Sequence, residues 1–112
     1  MAVTPLQAYQ GELTNTIDTT LYTAPASTRT RILTVSAVET TGATPSATFH
    51  IVPASGSLSD ATMVAQTGAF TANQSQRIEQ LEGHILEPGD TIRGGASADS
   101  QITVTISAVE FS

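Results

Sequence analysis

Apolar residues along this chain recur at every second position more consistently than at helical spacing. The clearest case is the C-terminal stretch, where Ile102, Val104, Ile106 and Ala108 alternate with Thr103, Thr105 and Ser107. That is the period of a strand with one face in a core and the other outside. Residues 34–39, Thr-Val-Ser-Ala-Val-Glu, return almost unchanged as Thr-Ile-Ser-Ala-Val-Glu at 105–110. The repeat sets Leu33, Val35 and Ala37 in phase with Val104, Ile106 and Ala108, and predicts that a strand over 30–40 and the terminal strand are neighbours in one sheet. Ala47, Phe49 and Ile51 alternate with Thr48, His50 and Val52 in a further strand that Pro53 ends. Leu13, Ile17 and Leu21 with interleaved threonines predict strands around 13–17 and 19–23. Residues 58–66 fit a short edge strand slightly better than one helical turn capped by Ser59 or Asp60, and 77–81 alternates again.

Punctuation between these runs agrees with the pattern. Glu87-Pro88-Gly89-Asp90 combines a proline that pre-sets φ with a glycine able to take the positive φ required at the third position of a type II turn. Gly94-Gly95, inside an apparent strand, reads as a bulge or a close backbone contact. Strands recurring about every 8–12 residues between Gly/Pro turns, with no amphipathic helix, predict an all-β fold. The expected architecture is an antiparallel β-sandwich, jelly-roll or Ig-like, of about eight strands over 13–112. Leu33, Val35, Phe49, Ile92, Val104 and Ile106 are its candidate core. Residues 1–12, broken by Pro5 and Gly11, read as an N-terminal arm or an irregular edge segment. Val3, Leu6 and Tyr9 recur there every third residue, which favours an extended segment that orders against a neighbouring subunit or partner.

Composition sharpens this picture. The chain of 112 residues has the length of one domain able to bury its own core. Cysteine is absent, so neither a disulfide framework nor a thiolate zinc site is available. Its first residues carry no targeting pattern and no run has the length of a membrane span, so a soluble protein made in the cytosol is expected, with no membrane partner. Ten acidic residues face four basic ones, a net charge of −6. That balance cannot build the basic face that nucleic acid requires. Only 12% of residues are charged; small hydroxyls and methyls take their place, a surface composition suited to contact with other proteins.

No constellation points to catalysis or to a cofactor. His84 and Glu87 bracket the 87–90 turn, but His50 is the only other histidine, too few imidazoles for a metal cluster of the cupin type, and no metal is expected. Carboxylate pairs such as Glu79 with Glu82, or Glu87 with Asp90, have the composition of a glycosidase acid and base. The aromatic platforms that accompany such chemistry are missing, with no Trp and with Tyr9 and Tyr22 the only tyrosines. There is no Gly-x-Ser-x-Gly elbow and no thiol nucleophile. A protein that is not an enzyme is expected. Arg29 and Arg31 flank Thr30 at a strand entrance and project to one side. With Val3, Leu6 and Tyr9 they are the candidate interface residues, because arginine is enriched where proteins meet.

Four segments taken in order, Thr20-Leu21-Tyr22-Thr23-Ala24-Pro25, Thr30-Arg31-Ile32-Leu33-Thr34-Val35, Ile85-Leu86-Glu87-Pro88-Gly89-Asp90-Thr91-Ile92 and Val104-Thr105-Ile106-Ser107-Ala108-Val109-Glu110, resemble small β-sandwich structural proteins of tailed bacteriophage virions. The similarity covers 20–112. It implies a virion component made in the host cytoplasm, a capsid decoration (cement) protein or else a neck or tail accessory. It further implies a homo-oligomer, commonly a trimer, whose partner is the major capsid protein or another virion protein. The group supplies no catalytic residues. A receptor- or glycan-binding sandwich is the rival expectation, and it would need exposed aromatics.

Overall fold

A computed structural model describes residues 2–112. Nine strands among them form two antiparallel sheets packed as a β-sandwich: β1 (Val3–Glu12), β2 (Thr20–Thr23), β3 (Arg29–Glu39), β4 (Ala47–Val52), β5 (Met63–Gln66), β6 (Ser75–Arg77), β7 (Ile85–Leu86), β8 (Thr91–Ala96) and β9 (Ile102–Phe111). The first sheet has the order β1-β9-β3-β6, with β7 pairing beside β6 on the same edge of β3; the second has the order β2-β8-β4-β5. The terminal strand is central, between β1 and β3, and β3 is its neighbour as the repeat predicts. Val35 lies opposite Ile106 and Ala37 opposite Val104, so the repeated segments run antiparallel side by side.

The core is the inner face of both sheets, and it includes Ile32, Val35, Phe49, Ile92, Val104 and Ile106, each fully buried. Leu33 departs from expectation: it is 43% exposed. Between Ile32 and Thr34 the pairing with β9 slips by one residue. A bulge inserts an unpaired residue and inverts the parity of everything before it, so Ile32 turns inward and Leu33 outward.

Other departures are local. Residues 13–17 form no strand. Leu13 is buried, and the Thr16 carbonyl lies against Gly95, where an added Cβ would come within 2.7 Å of it. Gly94-Gly95 is therefore a close backbone contact inside β8. Residues 58–66 hold both alternatives in series, a 3-10 turn over Asp60–Thr62 with a Ser59 capping box, followed by β5. Beyond β6, Glu79–Leu81 is another 3-10 turn, with Leu81 buried. The 87–90 turn forms as expected: Gly89 has φ +86, and the Asp90 N–H donates to the Glu87 carbonyl at 3.0 Å.

The N-terminal segment is an edge strand rather than a loose arm. β1 pairs with β9 from Val3 opposite Phe111 to Glu12 opposite Thr103, with one slip between Gln7 and Tyr9. That slip explains why period-two alternation is hard to see there. Met1 lies outside the described residues.

Candidate functional site: the open face of the first sheet

Side chains of paired residues in adjacent strands share a face, so the register defines the outer surface of the first sheet. At one end Val3, Phe111 and Arg29 are aligned across β1, β9 and β3. In the next outward row stand Pro5, Val109 and Arg31, continued by Ile85 on β7. The bulge adds Leu33. Val3 and Ile85 are more than half exposed, so this end carries an apolar cluster with two arginines. Its middle is hydroxyl and amide: Gln7, Ser107 and Thr34, then Gln10, Thr105 and Ser36. The far end is Glu12, Thr103 and Val38, with Val38 39% exposed.

Of the interface candidates, the structure gathers Val3, Arg29 and Arg31 at one end of this face and separates Leu6 and Tyr9 from them. Leu6 is in register with Ala108 and Tyr9 with Ile106, both core-facing. Tyr9 packs against the core, and its hydroxyl donates to the Glu12 carbonyl at 3.3 Å. Val3 and Leu6, three residues apart, fall on opposite faces by plain alternation, and the slip after Gln7 then turns Tyr9 to the side of Leu6.

The arginines differ in their partners. Arg29 pairs with Glu87 at 2.8 Å, Arg77 with Glu82 at 2.7 Å and Arg93 with Asp18 at 2.7 Å. Among the described residues, Arg31 has no ion pair. The Arg29 pair is mostly exposed on both sides and contributes little to stability. Glu82 is more constrained: it also accepts from the Val35 N–H at 2.9 Å, filling the gap that β7 and β6 leave along the edge of β3. The Arg77 guanidinium holds its carboxyl below the usual range, and Glu82 in turn raises Arg77. A shallow groove of about 270 Å³ lies here between Thr34, Ser36, Gln76, Arg77 and Glu82.

Two carboxylates that sequence reasoning passed over are structural. The Glu39 side chain is buried and accepts from the N–H groups of Asn73, Thr41 and Gly42 at 2.8–2.9 Å and from the Thr41 hydroxyl at 2.6 Å. These donors, with the Asn73 N–H first among them, lower its pKa to about 2. Glu110 accepts from the Tyr22 hydroxyl, which also bonds Thr30 at 2.8 Å, a clasp between the two sheets. Burial, then the Glu110 carboxylate, pushes Tyr22 up to about 12. A signal for both was present: carrying the alternation one step past Ala37 and Ala108 turns Glu39 and Glu110 inward.

The remaining chemical candidates are dispersed. His84 is exposed, whereas His50 is buried and bonds Thr62 through Nδ1 at 2.9 Å. No group of three His, Cys, Asp or Glu is close enough to hold a metal ion among the described residues. Glu87 engages Arg29, and Asp90 accepts from the N–H groups of Glu87 and Ala54. Among the described residues, no helix is long and apolar enough to cross a membrane.

No family model matches the chain, and no curated protein matches it. Among solved structures, a chain in the crystal structure of the T13 IBDV viral particle is similar at 14% identity and a TM-score of 0.41, over 97% of this chain and 30% of that one. This chain thus spans less than a third of that protein's length, and we draw nothing about function from the match.

Proposed function

We propose that this protein is a structural component of a virus particle that acts by protein–protein contact rather than by catalysis. The finer reading is a capsid decoration protein of a tailed bacteriophage, bound to the outer surface of the assembled head through its capsid protein. The observation that carries the assembly role is the open face of the first sheet. Its strands present Thr, Ser and Gln, with the Arg77–Glu82 pair beside Ser36, between an apolar, arginine-bearing end and a far end with Val38 and Glu12, and the chain has no lysine. Lysine is depleted and arginine enriched in protein interfaces. The sequence resemblance described above supplies the virion context.

Contact through this face fits better than strand addition at the β1 edge. Ala2 and Ser112 exchange both backbone bonds at 3.0 Å. Antiparallel alternation then turns the backbone groups of Thr4 and Leu6 toward β9 and those of Val3, Pro5 and Gln7 to the free edge. Pro5 has no N–H to offer there, and the slip after Gln7 bends the strand, two devices that blunt an edge. The glycan-binding alternative loses both tyrosines, since Tyr22 is clasped between the sheets and Tyr9 lies on the core. A neck or tail accessory remains the second reading, distinguished by stoichiometry. Gradient-purified particles of the encoding virus should contain the chain in a copy number on the scale of the capsid lattice. A handful of copies per particle would indicate neck or tail, and absence from purified particles would overturn the virion reading.

A further inference from the structure

We infer that the protein surface docking on the open face of the first sheet sets a carboxylate against Arg31, flanked by apolar side chains, and that Arg31 selects this partner. The inference rests on the reading of that face as an assembly surface and names the chemistry that the partner brings to it.

The four basic residues of the chain are all arginines, and three of them belong to this face. Arg29 stands in the row of Val3 and Phe111, Arg31 in the row of Pro5, Val109 and Ile85, and Arg77 opposite Ser36. Arg29 is paired with Glu87 and Arg77 with Glu82. Arg31 is exposed, and among the described residues it has no ion pair. The end that holds Arg29, Arg31 and Glu87 therefore has one positive charge in excess, on a chain whose net charge is −6.

The neighbours of Arg31 turn this excess into a requirement. Val109 and Ile85 are its partners on the flanking strands, with Cβ atoms about 5 Å away. Leu33 follows two positions along β3, turned outward by the bulge, and Leu33 and Ile85 are 43% and 51% exposed. A partner that gains contact area from these two side chains also covers the guanidinium beside them and strips its water. A covered charge left unpaired is strongly unfavourable. A carboxylate meeting the planar guanidinium through two parallel hydrogen bonds removes that cost and fixes the register of docking. Glu12 is the other unpaired charge in the rows of this face, and its setting differs. It ends β1 at the far corner, opposite the hydroxyl of Thr103, so no apolar neighbour across the strands draws a partner over it.

The probe is particles of the encoding virus assembled without this chain, and the readout is the dissociation constant of the full chain on them at several sodium chloride concentrations. The native chain should bind saturably, and more weakly as salt rises. Arg31→Gln should bind about tenfold or more weakly and lose most of that salt dependence. Arg31→Glu should bind more weakly still, with Arg31→Lys between Arg31→Gln and the native chain, since an ammonium keeps the charge without the bidentate fork. Glu12→Gln should stay within about twofold of the native chain. Thermal melts of all these proteins should coincide, because both positions are exposed. Arg31→Gln binding as tightly as the native chain, Arg31→Glu binding as tightly as Arg31→Gln, or Glu12→Gln losing as much as Arg31→Gln would each overturn the inference and leave the assembly role of the face standing. Absence of saturable binding by the native chain would overturn the assembly reading itself, and this inference with it.

Discussion

The two outer faces of the sandwich are finished differently. On the second sheet, His50 and Val52 point away from the Phe49 side yet are almost completely buried. The Thr62 hydroxyl bonds the His50 ring, and Arg93, in register with His50, is tied to Thr91 and Asp18 on the same face. Beside them the 14–19 loop lies so close to Gly95 that a side chain has no room there. The chain covers that face with its own loops. Among the described residues no such loop lies over the first sheet, where Val3, Leu33, Val38 and Ile85 remain exposed between hydroxyl, amide and charged side chains. Isolated exposed apolar residues are ordinary, but several sharing one face mark a contact surface. The difference separates a face completed by folding from one left for assembly.

The largest effect should come from a charge placed on each outer face in turn. Val52→Asp places an unpaired carboxylate at a fully buried position and should cost more than about 3 kcal/mol of a total near 5–15. Ile85→Asp, on the open face, should shift stability by less than about 0.5 kcal/mol. Chemical denaturation of both variants measures the contrast, and equal losses would erase the distinction between the faces.

Close approach of loop to sheet gives the next effect. Gly95→Val should destabilise by about 1–3 kcal/mol, because the added atoms meet the Thr16 carbonyl and the backbone must move. Gly89→Val should cost a similar amount, about 1–3 kcal/mol, through its positive φ and through contact with Ala54, whose Cβ lies 2.8 Å from the position of an added one. Thermal unfolding of each variant is the check.

Much of this arrangement is legible in the sequence, and the failures have physical causes. Alternation located β3, β4 and β9, and the repeat paired β3 with β9, because a half-buried strand writes its burial at period two. Proline and glycine located the 87–90 turn. Bulges were not legible: one extra residue at Leu33 or after Gln7 inverts a strand's parity without changing its composition, and it put Leu33 outward and Tyr9 inward, whereas Leu6 is inward by plain alternation from Val3. Coverage of a face was equally hidden. His50 and Val52 look like solvent positions within β4, yet both are buried, through contacts such as that of Thr62 with His50 that alternation does not show. Arg29 and Arg31 were readable as a same-side pair, but their alignment with Val3 depends on a register between strands far apart in the chain.

The ends of the sandwich give smaller, pH-dependent effects. Glu39 has its carboxyl lowered from 4.5 to about 2 in the folded state, so between those values the unfolded chain binds more protons. Its contribution is complete above 4.5 and is lost as pH falls toward 2. Glu39→Gln should flatten that part of the stability profile, as read from denaturation midpoints in acid. Tyr22 has the opposite sense, raised from 10.0 to about 12. Folded protein then holds a proton that the unfolded chain loses, and stability falls as pH rises from 10 to 12. The phenolate absorbance missing from Tyr22→Phe, by difference from the native chain, should appear near pH 12.

The absence of native cysteine allows the openness of the first sheet to be measured inside an assembled particle with a single introduced thiol. Ser36 is exposed at the centre of the open face, and Ser57 is exposed in the loop between β4 and β5. In dilute free protein, Ser36→Cys and Ser57→Cys should both react readily with a maleimide. In purified particles, the account predicts that Ser36→Cys becomes strongly protected while Ser57→Cys keeps reacting. Undiminished labelling of Ser36→Cys in the particle would contradict the assignment of this face to assembly.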